Sequence, residues 1–505
     1  MYLLPIKTTN LSVVKKLIGQ TAVYGLSTIV GRFMNFLLVP LYTRFFCQSD
    51  YGIVTELYSY TVFFMIFLTY GMETGFFRFS QDQQDKPNVY TTVLTSLLGS
   101  TGIFIALVAI FLHPISASIG YGGSERYIFW MAIIIAIDVI TTVPFAKLRL
   151  ENKAIKFAVI KFVNIGLNIG FNVLFLIILP YLAKHQKLMF ISQHFATPKV
   201  SYIFISNLIA SVVTLVMLLP DMLKSHNKLD YDLLKRVLAY SWPLLISGLA
   251  GSINEVYDRV SLRYFVTVPH GLDAGKYILS QVGIYGASYK LAMIISIFNQ
   301  AFRYAAEPLF FSRLHEKDSR QLYAKILNYF VAFTLFLFLF IMIYIEFFKH
   351  FIGRNFYEGL TVVPILLMAN IFLGIVFNLS IWYKLSNQTK FGIYIVGFGA
   401  VVTLIINLLF VPQYGYMACA WATLICYFLM TILSYILCQK YYTIPYNLKS
   451  IALYFGLAIL FYIVDKYVVI DILMLKHLVK FMLLTIYIIA IMWNEKLYFF
   501  RRNEN

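Results

Sequence analysis

About fourteen stretches of roughly 20 predominantly apolar residues follow one another along this chain, and a helix of that length spans the hydrocarbon core of a bilayer. The short alternating segments of an outer-membrane barrel do not occur in the sequence. Hydrophobic residues make up 60% of the 505 residues, whereas soluble proteins contain about 45–50%. The sequence therefore predicts an all-α polytopic membrane protein of about 14 transmembrane helices. The predicted spans are 17–41, 51–77, 89–112, 127–148, 155–182, 200–220, 236–265, 282–309, 322–345, 357–382, 391–411, 416–438, 448–467 and 476–498.

The two halves of the chain match each other at an offset of about 219 to 235 residues, which indicates an internal repeat. The order of the matches is kept across several spans, and polar residues take part in them. Chance alignment of apolar residues is the alternative. A repeat in a polytopic membrane protein predicts two helical bundles with a substrate site between them. The matched pairs include Asn35 with Asn254, Arg44 with Arg263, Gly52 with Gly283, Asn152 with Asn387, and Asn172 with Asn407.

A polar stretch at 221–235 separates the two halves. We therefore predict a six-helix bundle over 1–222 and a second, pseudo-symmetric one over 223–445, around a central cavity. The last two spans and the tail, 446–505, have no counterpart in the first half and are predicted to be additional. The first span of each half is rich in glycine, proline and polar residues, which bend helices. These two spans are predicted to line the cavity, although their glycines could instead permit close helix packing.

The net charge of +18 is unevenly distributed among the connections. With the amino terminus placed inside, Lys and Arg concentrate in alternate connections, beginning with Lys7, Lys15 and Lys16. This is the positive-inside pattern, so it predicts that both termini are cytoplasmic and that nucleic acid is not a partner. No cleavable signal peptide is evident, and the first span is expected to serve for targeting. Since the four cysteines lack a metal-binding spacing, we expect no disulfide, no metal site and no cofactor.

Charged residues inside the predicted spans mark candidate site positions, because a charge at the bilayer centre costs about 2.5 kcal/mol or more. Arg32 lies well inside the first span and has no acidic residue three or four positions away. It is the leading candidate to contact substrate, and a structural partner on another helix is the alternative. Lys161 and Lys480 can extend toward a membrane surface. The second-half candidates for the cavity are Arg259, Lys290 and Arg303.

Two of these cations have an acidic residue four positions away, at a spacing that brings side chains together on one helix face. Glu255 and Arg259 form one such pair, and Arg303 and Glu307 form the other. Asp258 lies close to the face of Glu255, so one of the two carboxylates could exceed what Arg259 neutralises. Glu255, Asp258 and the mid-span residue Asp138 are therefore candidates for coupling to protons or sodium.

Asparagines supply a further set of candidate residues. Asn164, Asn168 and Asn172 recur every four residues along one face of the 155–182 span. These three form a polar stripe suited to hydrogen bonding with sugar hydroxyl groups, and Asn35 and Asn254 are further candidates to bind substrate in the central cavity. Hydrogen bonding between helices is the alternative.

No catalytic motif is found in the sequence. Residues 271–276 resemble a phosphate-binding loop but are one residue short of it. Every connection between spans is short, and none could form an extramembrane catalytic domain. The sequence thus predicts a transporter rather than an enzyme, energised by an ion gradient, the membrane potential or the gradient of its substrate.

Several segments resemble one known family. Val23–Arg32, Pro40–Phe46 and Ser49–Ile53 are similar to the start of Wzx-type polysaccharide flippases, and so is Gly283–Leu291 leading into Ala301–Pro308. These flippases belong to the multidrug/oligosaccharidyl-lipid/polysaccharide exporter superfamily. The resemblance extends over essentially the whole chain.

This resemblance implies two six-helix bundles with two extra carboxy-terminal helices in the bacterial inner (plasma) membrane. It also implies translocation of undecaprenyl-pyrophosphate-linked oligosaccharide repeat units by alternating access, for O-antigen, capsule or exopolysaccharide biosynthesis. A polysaccharide polymerase and chain-length machinery would be its partners. Related flippases use cations in the cavity, and Arg32 and Lys290 fit that role because guanidinium and ammonium groups bind pyrophosphate oxygens. The alternatives are a peptidoglycan-precursor flippase of the MurJ type, a drug or cation antiporter of the same fold, and an enzyme such as a polymerase.

Overall fold

The computed structural model describes residues 25, 29–82, 86–185, 195, 197–223, 228–312, 318–468 and 472–503. Within these residues the regular structure is helical and no strand occurs, which confirms the all-α prediction. The helical segments are 29–36, Val39–Phe45, Gln48–Thr69, Met72–Phe79, Lys86–Ile110, Leu112–Ser118, Glu125–Leu150, Ala154–Val173, Leu174–Ile178, Leu179–His185, Ser201–Leu223, Tyr231–Phe265, Ala274–Ser312, Ser319–Ile343, Ile345–Phe348, Lys349–Phe351, Arg354–Val362, Val363–Leu379, Ile381–Leu385, Lys390–Tyr414, Tyr416–Tyr441, Leu448–Tyr467 and Leu473–Asn503.

Among the described residues, 12 helical segments are long and apolar enough to cross a membrane. They coincide with twelve of the predicted spans, eleven of them to within a few residues, whereas Ala274–Phe311 begins eight residues before the predicted span 282–309. The other two predicted spans are the first of each half. Most of 17–41 lies outside the described residues, as do Lys7, Lys15 and Lys16. The 236–265 span corresponds to Tyr231–Phe265, a helix of 35 residues whose charged residues, glycines and proline lower its mean hydropathy.

The chain divides into two compact units, Met1–Arg263 with Val268–Gly283, and Tyr264–Thr267 with Ile284–Asn505. The helix Tyr231–Phe265 thus lies largely in the first unit, although the repeat places it in the second half. Leu233 and Val237 of this helix are fully buried in a hydrophobic cluster of the first unit. The bundle limits predicted from the repeat, 222 and 445, stay a prediction.

In the first unit, the helix Glu125–Leu150 is central and packs against Gln48–Thr69, Lys86–Ile110 and Ser201–Leu223. Its buried face carries Val139, Val143 and Ala146, which are small enough for neighbouring helices to approach closely. Ser201–Leu223 packs in turn against Ala154–Val173. This arrangement places the polar residues of three helices around one interior space.

In the second unit, Val363–Leu379 packs against Tyr416–Tyr441 and Ser319–Ile343. The last two helices pack on Ser319–Ile343 as well, so they are an integral part of this unit. Two buried polar side chains of the last helix form hydrogen bonds with the backbone of Ser319–Ile343. Tyr487 Oη donates to the Ala332 carbonyl oxygen at 3.3 Å, and Lys480 Nζ donates to the Ile343 carbonyl oxygen.

Two helix ends that the repeat makes equivalent share an uncommon backbone conformation. Asn152 follows the helix that ends at Leu150, and Asn387 follows the helix that ends at Leu385. Both asparagines have φ of +57°, in the left-handed region. Asparagine adopts this conformation more easily than other residues with a Cβ atom, and it commonly terminates helices in this way. At this pair of positions the two halves therefore share a backbone conformation as well as a residue type.

Candidate functional site

A polar chamber of about 370 Å³ lies inside the first unit. Its volume is at the lower end of the range of about 300–1,000 Å³ typical of small-molecule sites. The chamber is lined by Met65, Glu73, Asp138, Thr141, Thr142, Phe145, Arg149, Phe157, Lys161, Asn164, Asn207, Ser211 and Thr214.

Three helices present successive turns of one face to this chamber. Residues three or four positions apart share a helix face, and that spacing relates the lining residues within each helix. Glu125–Leu150 contributes Asp138, Thr141, Thr142, Phe145 and Arg149. Ala154–Val173 contributes Phe157, Lys161 and Asn164, and Ser201–Leu223 contributes Asn207, Ser211 and Thr214.

Hydrogen bonds between neighbouring helices fix the polar side chains of the chamber. Ser211 Oγ donates to Asp138 Oδ1 at 3.0 Å, and Asn164 Nδ2 donates to Thr214 Oγ1 at 2.9 Å. Asn207 Nδ2 donates to Tyr58 Oη at 2.8 Å. These bonds orient the carboxylate and the amides before any ligand enters.

The chamber holds two carboxylates and two cations. Arg149 Nη1 and Glu73 Oε1 form an ion pair at 2.5 Å, and both side chains are partly exposed. Lys161 is different, because it makes no hydrogen bond or ion pair with any described residue. Its Nζ lies 4.1 Å from the centre of the Phe145 ring. Lys161 and Asp138 thus place an ammonium and a carboxylate in one chamber without direct contact between them.

A second, much smaller cleft lies in the second unit, with room for about one water molecule in its ≈ 10 Å³. Lys384 forms an ion pair with Glu307 there. The guanidinium of Arg303 lies 5.2 Å from the Phe377 ring centre. The side-chain oxygens of Asn299 and Asn378 are buried without a hydrogen-bond partner among the described residues.

The predicted pairing of Arg303 with Glu307 is therefore wrong. Although the two side chains are four residues apart on one helix, Glu307 is paired with Lys384 from the neighbouring helix Ile381–Leu385. Arg303 packs instead against aromatic rings, Phe377 and Tyr304. Lys290 is half-buried in the second unit.

The other predicted pair is also corrected by the structure. Arg259 Nη1 is bonded to Asp258 Oδ1 at 2.9 Å and to the backbone oxygen of Glu255 at 2.7 Å. Asp258, Arg259 and Asn254 are buried, whereas the Glu255 side chain is exposed. Of the two carboxylates, Asp258 is the one in ion-pair contact with Arg259, because the rotation of the helix turns Glu255 outward.

Arg32 is exposed on the helical segment 29–36, and so is Asn35 one turn later. Asn168 Nδ2 donates to Asn35 Oδ1 at 3.4 Å, which joins this segment to Ala154–Val173. At the next turn, Asn172 is fully buried and donates to the Asn168 backbone oxygen at 2.8 Å. The asparagine stripe is therefore divided: Asn164 lines the chamber and donates to Thr214 there, while Asn168 and Asn172 bind protein groups outside the chamber lining.

A sequence model of a family described as polysaccharide biosynthesis protein matches residues 17–315. The chain belongs to this family. The superfamily resemblance found in the sequence is thereby confirmed at the family level. A search of curated proteins gave no match.

Several solved structures share the fold of this polysaccharide biosynthesis protein. The lipid II flippase MurJ in an inward closed conformation has a TM-score of 0.68 and 14% identity, covering 94% of this chain and 99% of that chain. The MATE multidrug transporter DinF-BH has a TM-score of 0.59 and 16% identity, covering 87% and 98%. An inward-facing multidrug resistance MATE transporter of the MOP superfamily has a TM-score of 0.55 and 14% identity, covering 82% and 94%. At these identities the likeness shows a shared fold, that of a multi-pass membrane protein.

Helical spacing does not reveal the contacts of four charged residues of this family member: Lys161, Lys384, Glu56 and Arg263. The length of its side chain predicts that Lys161 extends to the membrane surface, but the structure places it in the chamber, on the same helix face as Asn164 three residues later. The Glu307 partner Lys384 and the Glu56–Arg263 pair of the first unit involve separate helices. The spacing of residues along one helix cannot predict ion pairs between different helices. Among the described residues, no group of three or more His, Cys, Asp or Glu could hold a metal ion.

Proposed function

We propose that this protein is a flippase that translocates undecaprenyl-pyrophosphate-linked oligosaccharide repeat units across the bacterial inner membrane by alternating access. The translocated units would serve the synthesis of a surface polysaccharide. Both termini would be cytoplasmic, and a polysaccharide polymerase with its chain-length machinery would receive the product.

The chamber of the first unit carries this proposal. Charged and hydroxyl groups at membrane depth are costly, so they normally mark the path of a polar substrate or ion. Here Asp138, Lys161 and their neighbours are gathered from three apolar helices into a space of about 370 Å³. In a polysaccharide biosynthesis protein, a sugar-bearing lipid is the substrate that suits such a space. Arg32, exposed in the same unit, could hold the pyrophosphate.

The short connections between helices, and the location of the polar groups inside the bundle, support transport over catalysis. The described connections between long helices, such as 266–273, are short. A reaction on a soluble donor or acceptor would call for residues gathered on such connections or on a separate domain. The polar groups are instead gathered inside a helical bundle.

A flippase for a peptidoglycan precursor is the second candidate. It is favoured by the TM-score of 0.68 with the lipid II flippase and by coverage of 99% of that chain. The two candidates differ in the lipid that accumulates when the protein is missing, and an in-frame deletion in the native host separates them.

In the deletion strain we expect loss of the surface polymer and accumulation of lipid-linked repeat units, measured by mass spectrometry of extracted lipids. Accumulation of lipid-linked peptidoglycan precursor would support the second candidate instead. Unchanged surface polymer with unchanged lipid pools would overturn both.

Complementation of this strain tests Arg32. We expect Arg32→Ala to abolish surface polysaccharide at normal protein levels, because it removes the cation proposed to hold the pyrophosphate. Arg126→Ala is the matched control, since Arg126 is exposed beside Tyr127 and lies away from the chamber lining. Normal polymer with Arg32→Ala would remove Arg32 from the mechanism.

A further inference from the structure

We propose that the chamber of the first unit is a saccharide subsite, which takes a sugar ring of the repeat unit and not its diphosphate. This inference rests on the proposed function and deepens it. It assigns the two chemical parts of the substrate to different places on the protein.

The hydrogen-bonding capacity of the chamber favours a ligand rich in donors. Thr141 and Thr142 donate their hydroxyl protons to the Asp138 backbone oxygen at 3.0 Å, and Thr214 donates to the Ala210 oxygen at 2.8 Å. The oxygens of Thr141 and Thr142 therefore remain as acceptors, and Thr214 Oγ1, which already accepts from Asn164 Nδ2, keeps one further acceptor position. The Asp138 carboxylate adds further acceptor positions, of which Ser211 occupies one.

The ligand that complements such a lining carries several hydroxyl groups, as a sugar does. Donation from sugar hydroxyls to the Asp138 carboxylate would be charge-assisted and therefore stronger than neutral hydrogen bonds. Lys161, which has no hydrogen-bond partner among the described residues, would donate to a ring or hydroxyl oxygen of the same sugar. Carboxylate and ammonium together can thus hold both ends of one ring.

The charge balance argues against a diphosphate in the chamber. Arg149 is already paired with Glu73, and Lys161 shares the chamber with Asp138, so the lining charges cancel. A diphosphate offers acceptors only, and it would meet the Asp138 carboxylate and the threonine oxygens. Each of those contacts is repulsive or unsatisfied, whereas an uncharged ring satisfies them.

The apolar side and the size of the chamber agree with this assignment. The Phe145 and Phe157 rings meet edge to face at 5.2 Å between centres and form one wall. This apolar wall suits the C–H groups of a pyranose ring, which would lie beside the Lys161 ammonium that covers part of the Phe145 ring. A volume of about 370 Å³ accommodates a mono- or disaccharide and excludes a long oligosaccharide.

Cysteine protection tests the inference directly. Thr142 is half-buried and its hydroxyl bonds only its own helix, so Thr142→Cys places a thiol in the chamber with little disturbance. Of the native cysteines Cys47 is exposed and the other three are buried, so a Cys47→Ser background leaves one reactive thiol. The measurement is the rate of modification by a water-soluble maleimide, on purified full-length protein in nanodiscs.

Two probes are compared: the oligosaccharide released by mild acid from the surface polymer of the host, and inorganic pyrophosphate. We expect the oligosaccharide to slow modification several-fold and pyrophosphate to have no effect. Asp138→Asn in the Thr142→Cys background should raise the half-protecting concentration about tenfold, the effect of losing one charge-assisted hydrogen bond. Asp232 is exposed and lies outside the chamber lining, so Asp232→Asn should leave the half-protecting concentration unchanged. Cys47 of the wild-type protein serves as an unprotected thiol.

Protection by pyrophosphate, absence of protection by the oligosaccharide, or failure of the maleimide to reach the introduced thiol would each overturn the inference. These results leave the flippase proposal untouched, because the deletion strain tests that separately. If the deletion leaves polymer and lipid pools unchanged, the flippase proposal fails whatever the chamber binds.

Discussion

The carboxylate of Glu56 is fully buried in the first unit, and three side chains converge on it. Tyr121 Oη donates to it at 2.8 Å, Tyr60 Oη donates at 3.2 Å, and Arg263 Nε lies 3.4 Å away. Arg263 also donates to the Ile119 carbonyl oxygen. Burial, and then the Glu56 charge, raise the pKa of Tyr121 well above its usual range, so its hydroxyl stays protonated and continues to donate.

Replacing Glu56 by Gln should destabilise the protein strongly. It leaves Arg263 buried without a counter-charge, which costs about 3–5 kcal/mol. We expect a clear fall in the midpoint of thermal unfolding in detergent. Glu73→Gln removes one partner of a partly exposed pair and should cost only about 0–1 kcal/mol. Equal falls in the unfolding midpoint for Glu56→Gln and Glu73→Gln would show that the buried network around Glu56 stabilises the protein no more than the exposed pair.

Asn152 and Asn387 allow a second test at single residues. A residue with a Cβ atom pays about 1–2 kcal/mol in the left-handed region, asparagine pays less, and glycine pays nothing. Asn152→Ala and Asn387→Ala should therefore lower the unfolding midpoint, while the glycine variants should leave it unchanged or raise it. If the Ala and Gly variants unfold at the same temperature, backbone conformation is not what fixes these positions.

Sequence reasoning identified some chamber residues but not their partners. Asp138 is predictable because a charge inside an apolar span is costly, and Asn164 because asparagines recur every four residues along its helix; the structure places both on one chamber. Lys161 lines the same chamber, although the length of its side chain predicts that it extends toward the membrane surface. Partner choice depends on helix rotation and on neighbouring helices. For that reason Arg259 contacts the Asp258 carboxylate and Glu307 contacts Lys384, against the expectation from spacing.

At the level of helices, one close backbone contact requires glycine at two positions of the sequence, Gly52 and Gly283. A Cβ atom on Gly52 would lie 1.9 Å from the Leu279 backbone oxygen, and one on Gly283 would lie 2.0 Å from the Gln48 backbone oxygen. The helix Gln48–Thr69 and the segment Val268–Gly283 therefore touch through their backbones. The repeat makes these two glycines equivalent.

Gly52→Ala should consequently prevent correct packing, since the nearest atom belongs to a backbone that cannot move alone. We expect aggregation or a much lower yield of monodisperse protein on size-exclusion chromatography. Gly99→Ala is the matched control, because nothing lies within 4 Å of its added Cβ atom. That variant should behave as wild type or gain up to about 1 kcal/mol from helix propensity. A well-behaved Gly52→Ala protein would show that the two segments can separate without cost.

Helix positions were predictable because the bilayer demands about 20 apolar residues per span, a requirement that is local in sequence. The helix Tyr231–Phe265 shows what this local requirement does not predict, namely the unit into which a helix packs. Its polar composition still allowed a span to be predicted, but nothing in its own residues indicates that Leu233 and Val237 pack into the first unit. Tertiary grouping depends on complementary surfaces far apart in the chain.

At the scale of the whole molecule, orientation in the membrane is the next property to test. The excess of Lys and Arg in alternate connections predicts cytoplasmic termini. Green fluorescent protein fused after Asn505 should therefore fluoresce, and alkaline phosphatase fused there should be inactive. Fusions after Val468, one helix earlier, should show the reverse. The same reporter active at both positions would contradict the predicted number or direction of the last spans.

Two ion pairs of the first unit, Glu73–Arg149 and Glu56–Arg263, should respond differently to the salt concentration. At about 1 M salt the screening length falls to about 3 Å, so dissolved ions weaken even close pairs of exposed charges but act little on buried ones. The Glu73–Arg149 pair has side chains 40% and 44% exposed, whereas those of Glu56 and Arg263 are 0% and 9% exposed. Concentrated electrolyte would therefore loosen the pair beside the chamber and leave the other closed, so the salinity experienced by the cell would act on one of these contacts alone.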